Sequence, residues 1–255
     1  SDKPDYLIGS LNGRRHIYYT DCVKIFACGE NVCPDFNEYD YAVAFDHLEF
    51  GDRYLRVPLY AFYGSYRQLA ERGGKTDEQL LKRRFCSFVA SNPQRDPIVF
   101  EFVRRLSEYK QVDCGGRLMN NVGGGVKDKL AFCANYKFNV AFENSSSSGY
   151  TTEKLMEPLA VESVPIYWGN PLVERDFCPD CMVRVAGAVD IDRAVKEIIR
   201  LDRDDAAYLK RVRSPCLAGT DLDAYERRLD GFLVRICERV LADGVAAARR
   251  RNFYG

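Results

Sequence analysis

The stretch YKFNVAFENSSSSGYTTEKLMEPLAVESVPIYWG, residues 136–169, decides the fold class of this 255-residue chain. Its first nine residues are dense in aromatic and β-branched types, which predicts a buried strand. A polar loop follows, and Thr151 or Thr152 can cap a helix over the run EKLMEPLAVES. Because Pro158 lies inside that run, the helix is expected to be short or kinked. VPIYWG then predicts the next strand, so the stretch forms a strand–helix–strand unit, which builds parallel sheets.

Strand and helix patterns alternate on both sides of this unit. Apolar runs that end in polar or glycine-containing residues predict strands within PDYLIGS, CVKIFACGE, YDYAVAFD and FCSFVAS before it, and within MVRVAG after it. Helical spacing predicts helices from Ile98 onward, within DIDRAVKEIIRLD and over residues 222–243. This alternation predicts an α/β fold. Because the patterns form two runs with a break near residue 84, we expect two Rossmann-like domains facing a cleft, residues 1–84 and 85–255.

The overall composition excludes several classes of protein. Hydrophobic residues make up 46% and charged residues 29%, as in ordinary soluble globular chains. Lysine plus arginine equals aspartate plus glutamate at 37 each, whereas a general nucleic-acid-binding chain is usually basic. No run approaches the roughly 20 apolar residues that span a bilayer. We therefore expect neither a disordered chain, nor a membrane-spanning one, nor a polybasic nucleic-acid binder.

The ten cysteines favour reduced thiols in a cytoplasmic enzyme over a disulfide scaffold. They are scattered, and several lie in apolar runs, where a free cysteine behaves as a small hydrophobe. CPDC, residues 178–181, has the spacing of a redox or zinc motif. A zinc site needs two further ligands, but the sequence has no second CxxC, and its two histidines are His16 and His47. CPDC is therefore interpreted as a cysteine-bearing turn.

The polar residues of the decisive stretch are expected to meet at one crevice, because ligands of open α/β sheets bind outside the carboxyl ends of the strands. The first strand ends at Glu143-Asn144, and the helix begins at Glu153-Lys154. The helix N-terminus and Lys154 suit a phosphate, and Glu153 can accept from two vicinal hydroxyls of a ribose. Tyr150 can stack on a base or donate a hydrogen bond. The pattern predicts a nucleotide-diphosphate site formed by Asn144, Tyr150, Glu153 and Lys154; the alternative is that Glu153 only complements the helix dipole.

Two further segments supply candidate groups. Glu30 follows the apolar run KIFAC, so it is expected at the carboxyl end of a strand, where a carboxylate can act as a general base. That pattern is weak by itself, since the chain has 37 acidic residues. The glycine-rich segment 112–126 lacks the spacing of a phosphate-binding P-loop and is interpreted as an ordinary loop, with contact to a substrate as the alternative.

Residues 138–171 closely resemble the signature of the α-1,3/4-fucosyltransferase family. The matching features are an FENS strand end, a Y-x-T-E-K helix start and a VP-x-x-WG strand. Residues 29–60, 85–93 and 108–124 also look like the corresponding segments of bacterial members. The resemblance covers roughly residues 5–255, with several specific blocks in the same order.

This resemblance implies a fold, a reaction and roles for the candidate residues. The family has the two-domain glycosyltransferase B (GT-B) fold and transfers L-fucose from GDP-fucose, with inversion, to a sugar hydroxyl, typically O3 of N-acetylglucosamine. Lewis-type glycans are such products. The resemblance implies no cofactor and no bound metal. It implies that Glu30 is the general base and that Asn144, Tyr150, Glu153 and Lys154 bind GDP-fucose.

One departure from the family pattern concerns a cation. The family has an arginine at the start of the helix that follows the SNP segment, where it contacts the diphosphate. This chain has Val99 at that place. Arg95, four residues earlier in a loop that is one residue longer, is the candidate to reach the same phosphates.

The two ends of the chain carry further expectations. Family members have an additional strand–helix before the segment that begins here with PDYLIGS, so the N-terminal, acceptor-binding domain is expected to lack its first strand and helix. The last helix has an apolar face that can pack back on the N-terminal domain. It runs toward Arg249, Arg250 and Arg251. We expect a cytoplasmic protein with at most peripheral membrane contact through this basic end.

Three function hypotheses remain at this point. The first is an active fucosyltransferase acting on an N-acetyllactosamine-type glycan. The second is a GT-B transferase that uses another nucleotide sugar in the same crevice. The third, suggested by Val99 and the short N-terminus, is a module that binds a GDP-sugar without turnover.

Overall fold

Two parallel β-sheets organise the chain in the computed structural model, which describes residues 3–11, 13, 15–69, 72–218 and 222–243. The first sheet consists of β1 (Tyr6–Gly9), β2 (Val23–Ala27), β3 (Tyr41–Ala44) and β4 (Tyr54–Arg56), in that order. The second contains β5 (Arg84–Phe88), β6 (Val112–Cys114), β7 (Tyr136–Phe142), β8 (Val164–Trp168) and β9 (Val183–Arg184). Its strand order is β6-β5-β7-β8-β9. Every strand pair in both sheets is parallel, which confirms the predicted α/β class.

Helices connect the strands. They are α1 (Gly64–Gln68), α2 (Asp77–Leu81), α3 (Ile98–Ser107), α4 (Lys129–Cys133), α5 (Glu153–Ala160), α6 (Ile191–Arg203), α7 (Asp205–Val212) and α8 (Leu222–Asp243). In the described part of the chain, no helix is both long enough and apolar enough to cross a membrane. Arg249, Arg250 and Arg251 lie outside the described residues.

The chain packs as two compact units, and each is described by itself. The first unit comprises residues 1–61 and 221–255, and the second comprises residues 62–220. The boundary expected at residue 84 coincides with the start of β5 rather than with the boundary between the units. The difference arises because α1 packs against α5 and α2 packs against α7, which joins residues 62–83 to the second sheet.

In the first unit, α8 covers one face of the sheet. Phe232 and Ile236 of α8 are buried in a cluster that also contains Val23, Ile25, Tyr41, Leu55 and Val57 of the sheet and its flanking residues. Long apolar side chains spaced four residues apart lie on one face of a helix, so both reach the sheet. This packing places α8, distant in sequence, in the same unit as β1–β4.

The core of the second unit is built around β7, all seven residues of which are buried. Phe142 packs against Phe102 of α3 at a ring-centroid distance of 5.0 Å and against Trp168 of β8 at 6.0 Å. Val99 of α3 is only 1% exposed and belongs to the same core. The apolar run predicted as a strand is thus β7, a central strand that is covered on both faces, as in other parallel sheets.

The glycine-rich segment expected to be a plain loop begins with a strand. Val112, Asp113 and Cys114 form the edge strand β6 and pair with Cys86, Ser87 and Phe88 of β5. Three residues are too few to show a reliable strand pattern, and the glycines that follow dominate the local signal. Only the part after Cys114 is a loop.

A buried carboxylate ties the end of β7 to the start of α5. Glu143 Oε1 accepts from the backbone N–H of Thr152 at 2.8 Å, and Oε2 accepts from the Thr152 hydroxyl at 2.7 Å. Thr152 is the N-cap of α5, which decides between the two caps that the sequence allowed. Pro158 lies in this eight-residue helix and is buried, in agreement with the expected short helix.

Gly169, directly after β8, leaves room for the Glu143 side chain. A Cβ placed on Gly169 would lie 2.8 Å from Glu143 Cβ and still nearer to its Cγ. Gly169 also has a φ of +153°, which residues with a side chain rarely adopt. The glycine of the VP-x-x-WG segment is therefore required by close packing on Glu143.

We predict that Phe232→Ala lowers the free energy of unfolding by about 3–5 kcal/mol, because it removes a buried ring and leaves a cavity under α8. Denaturant unfolding followed by circular dichroism measures the change. Val234→Ala on the same helix is the control, since Val234 is 53% exposed and should change stability by about 0.5 kcal/mol or less. Equal losses in both variants would contradict the packing of α8 described here.

We predict that Gly169→Ala lowers the free energy of unfolding by about 2–4 kcal/mol, from overpacking against Glu143 and a strained backbone. The control is Gly187→Ala, since Gly187 is extended and an added Cβ would meet no atom within 4 Å. That variant should stay within about 1 kcal/mol of the wild type. A Gly169→Ala chain as stable as the control would show that Glu143 does not occupy this space.

Candidate active site

The strand order of the second sheet locates a crevice. The chain runs from β5 outward to the edge strand β6 and then returns to place β7 on the other side of β5. Ligands of open α/β sheets bind at such a reversal, outside the carboxyl ends of the two central strands. Arg95 follows β5 and Asn144 follows β7, and the N–H of Asp96 donates to the carbonyl of Asn144 at 3.3 Å. The reversal therefore brings two predicted site residues to one edge of the sheet.

Arg95 is held at this edge by the end of β7. Its Nη1 donates to the carbonyl of Phe142 at 3.0 Å, while its Nε is buried without a hydrogen-bond partner. Burial lowers the pKa of Arg95, and the nearby Glu143, Glu153 and Tyr150 oppose that shift. An arginine stays protonated in proteins even when its pKa falls. A half-buried cation with an unused donor is suited to an anionic ligand.

Lys154 lies in the first turn of α5, between two carboxylates. Its Nζ is 3.0 Å from Glu153 Oε1, 3.4 Å from Glu143 Oε2 and 3.1 Å from Thr152 Oγ1. Burial lowers the pKa of Lys154, but the charges of Glu143 and Glu153 outweigh burial and raise it overall. The ammonium group is therefore firmly charged and held in one position.

The two carboxylates differ in character. Burial raises the pKa of Glu143, against the opposing effects of Lys154 and the hydrogen bonds from Thr152. Burial also acts to raise the pKa of Glu153, but Lys154 and Lys129 lower it overall. Glu153 thus stays ionised and is 27% exposed, so it can accept hydrogen bonds from a ligand, whereas Glu143 is engaged within the protein.

Asn144 and Tyr150 flank the polar loop between β7 and α5. The side-chain oxygen of Asn144 is buried and has no hydrogen-bond partner. Tyr150 is buried, and its carbonyl accepts a hydrogen bond from the Tyr167 hydroxyl at 3.4 Å. Asn170 supports the same loop, because its Oδ1 accepts from the backbone N–H of Gly149 at 2.8 Å. The loop that carries both predicted residues is therefore anchored to the end of β8.

Lys129 is a site residue that the sequence did not reveal. It is the first residue of α4 and pairs with Glu157 of α5 at 2.5 Å. Together with Arg95 and Lys154 it lines a cavity of about 20 Å³, which holds about one water molecule. A lysine in the short run VKDK has no distinguishing local pattern, since its position depends on α4 packing against α5.

Glu30 belongs to the first unit and is exposed three residues beyond the end of β2. Its backbone N–H donates to Cys28 Sγ at 3.2 Å, and its carbonyl accepts from the N–H of Val32 at 2.7 Å. The backbone on both sides of the carboxylate is thus held in a tight turn. The strand-end placement predicted for Glu30 is the one observed.

The arrangement in the second unit suits a phosphate-bearing ligand. Three cations, Arg95, Lys129 and Lys154, line one cavity beside the N-terminus of an eight-residue helix. Glu153 at that N-terminus can accept from hydroxyl groups. Among the residues that the structure describes, no group of three or more histidine, cysteine, aspartate or glutamate side chains could hold a metal ion.

Family comparisons agree with this architecture. Residues 1–63 match the family model described as alpha-(1,3)-fucosyltransferase FucT N-terminal domain, and residues 80–213 match glycosyltransferase family 10 (fucosyltransferase) C-term. The chain is 36% identical to alpha-(1,3)-fucosyltransferase FucT of Helicobacter pylori over 87% of its length. It spans 53% of that relative, about half of its length. A zebrafish (Danio rerio) GDP-fucose protein O-fucosyltransferase 3 is 32% identical over 43% of this chain and 26% of its own.

Solved structures are similar over nearly the whole chain. A crystal structure of an α1,3-fucosyltransferase superposes with a TM-score of 0.80 at 32% identity, covering 92% of this chain and 78% of the other. A crystal structure of an α1,3-fucosyltransferase with GDP-fucose superposes with a TM-score of 0.74 at 30% identity, covering 90% and 78%. These matches confirm the predicted GT-B fold class. The chain belongs to glycosyltransferase family 10, the fucosyltransferase family.

Proposed function

We propose that this chain transfers L-fucose from GDP-fucose to a sugar hydroxyl, with inversion and without a bound metal. The acceptor we propose is O3 of N-acetylglucosamine in an N-acetyllactosamine-type glycan. The observation that carries the proposal is the cluster of Arg95, Lys129 and Lys154 beside the start of α5, at the sheet reversal of a family member. The crystal structures of α1,3-fucosyltransferases with GDP and with GDP-fucose support the choice of donor.

In this proposal the crevice of the second unit binds the nucleotide. The diphosphate lies at the N-terminus of α5, where the helix dipole favours negative charge. Arg95 donates from its unpartnered Nε, and Lys154 contributes a fixed positive charge. Glu153 accepts from the ribose hydroxyls, Tyr150 contacts the donor beside the loop, and Asn144 uses its unpartnered side-chain oxygen.

The reaction is a single displacement at the anomeric carbon. The Glu30 carboxylate takes the proton of the acceptor hydroxyl as its oxygen bonds to that carbon, and the bond from carbon to the β-phosphate oxygen breaks. The electron pair leaves with GDP, and attack from the opposite face inverts the centre. Arg95 and Lys154 stabilise the charge that develops on the diphosphate, the role that a metal has in other transferases. Glu30 is exposed and can pass its proton to water.

We predict that Arg95→Ala weakens GDP binding by roughly 10- to 100-fold, as expected for loss of a charge-assisted hydrogen bond. Isothermal titration calorimetry in EDTA-containing buffer measures the dissociation constant, and binding by the wild type should persist there. Arg104→Ala is the control, since Arg104 lies on the exposed side of α3 and pairs with Glu108 at 3.1 Å. An unchanged affinity for Arg95→Ala would refute the idea that this residue replaces the family arginine.

We predict that Glu30→Gln reduces acceptor-dependent release of GDP from GDP-fucose by about 100-fold or more, the usual contribution of a general base. The GDP dissociation constant should not change, because Glu30 is not a donor-binding residue in this proposal. The assay compares release with and without N-acetyllactosamine. Glu238→Gln, which alters an exposed carboxylate of the same unit, should retain full activity.

Three results would contradict parts of the proposal. GDP binding without release by the wild type on any acceptor would indicate a binding module without turnover. Tighter binding of UDP than of GDP would indicate another nucleotide sugar as donor. Equal activity of Glu30→Gln and wild type would leave the transferase in place and exclude Glu30 as its base.

A further inference from the structure

Three cysteines from two separate segments meet in the second unit. Phe177 forms an isolated antiparallel bridge with Leu217, and the N–H of Cys178 donates to the carbonyl of Cys216 at 2.8 Å. The Cys181 thiol donates to the same carbonyl oxygen at 3.9 Å, and its side chain lies close enough to that of Cys216 for the two thiols to interact. The CPDC turn is therefore held against the segment after α7, with the side chain of Cys181 beside Cys216.

Arg72 supplies a positive charge to this contact. Its Nη1 donates to Cys216 Sγ, and its Nη2 donates to the carbonyl of Val212 at 2.6 Å. The guanidinium is fixed by the C-terminal end of α7 and points at one sulfur rather than at a carboxylate. A cation beside a cysteine favours the thiolate, which is the reactive form.

The two thiols are electrostatically unequal. Interaction with the Cys181 thiol lowers the pKa of Cys216; burial opposes this, and Arg72 adds to the lowering. Interaction with Cys216 raises the pKa of Cys181, and burial adds to it. The thiolate is therefore favoured on Cys216 and the protonated thiol on Cys181, which is the arrangement of a nucleophile with a second thiol beside it.

We propose that Cys181 and Cys216 form a redox-active dithiol that a peroxide converts into a disulfide. The Cys216 thiolate attacks one oxygen of the peroxide, the O–O bond breaks, and Cys216 becomes a sulfenic acid while the other oxygen leaves as water after protonation. The Cys181 sulfur then attacks the Cys216 sulfur, forms the S–S bond and releases the second water. Two thiols lose two electrons in total, and hydrogen peroxide accepts them.

The position of the pair separates this chemistry from the proposed donor site. Cys181 precedes the first residue of β9, so it lies at the amino ends of the parallel strands, whereas the donor crevice lies at their carboxyl ends. The bond would close a loop between residues 181 and 216, and such a cross-link stabilises a fold by constraining its unfolded chain. We expect the oxidised chain to bind GDP as the reduced chain does, and to unfold at a temperature several degrees higher.

The test maps the bond in the wild-type chain. The reduced protein is treated with hydrogen peroxide, blocked with N-ethylmaleimide under denaturing conditions and digested with trypsin. The expected product is peptide 176–184 linked to peptide 214–227, with Cys178 blocked. A bond between Cys178 and Cys181 inside the first peptide would overturn the proposal. So would oxidation of the exposed Cys33 and Cys237 without any linked pair.

Variants test the order of the two steps. Cys216→Ser should abolish the linked peptides and the rise in unfolding temperature, whereas Cys237→Ser, on the exposed side of α8, should retain both. In Cys181→Ser the sulfenic acid has lost the thiol proposed to attack it, so dimedone should label Cys216. Label on Cys178 instead of Cys216 would contradict the assignment of the nucleophile. These readouts use no fucosyl donor, so their failure is distinct from failure of the proposed function.

Discussion

The candidate site depends on one buried interaction, the pairing of Glu143 with Thr152. The two carboxylate oxygens take hydrogen bonds from the backbone and the hydroxyl of Thr152, so the end of β7 and the start of α5 are held together. A buried carboxylate is costly unless charge and hydrogen bonds compensate it, and the compensating cation is Lys154 at 3.4 Å. The interaction that closes the strand–helix turn therefore also positions the lysine proposed to meet the diphosphate. Gly169 provides the space that makes this possible.

The charges around the crevice are balanced before a ligand binds. Arg95, Lys129 and Lys154 lie near Glu143, Glu153 and Glu157, so a diphosphate would have to share cations that already have protein partners. Lys154 contacts three protein oxygens, whereas Arg95 donates to one backbone carbonyl and has a buried Nε without a partner. The unused hydrogen-bonding capacity is thus on Arg95. We infer that Arg95 contributes more to donor affinity and Lys154 more to the geometry of α5.

Local patterns were enough for much of this fold, but not for features that depend on distant contacts. The apolar run of β7 and the spacing in α6 are long, and both elements were predictable. The strand-end rule also placed Lys154 and Glu153 beside the end of β7, where Lys154 meets Glu143. The boundary between the two units, after Ala61, was not predictable from local patterns. The helices α1 and α2 have only five residues each, and they belong to the second unit because of their packing. Lys129 was not predictable either, because its place beside Arg95 and Lys154 depends on the packing of α4 against α5.

Position 99 bears on the proposal that Arg95 takes the place of the family arginine. Val99 is buried with the core of α3, so an arginine there would have to place its charge in an apolar cluster or displace the helix. The preceding loop is instead tied directly after Arg95: Asp96 N–H donates to the Asn144 carbonyl, and Asp96 Oδ1 accepts from the N–H of Ile98. A loop anchored in this way can present a guanidinium as reliably as a helix turn. Val99 is therefore no argument against the proposed donor site, because Arg95 in the loop before α3 already lies against the carboxyl end of β7.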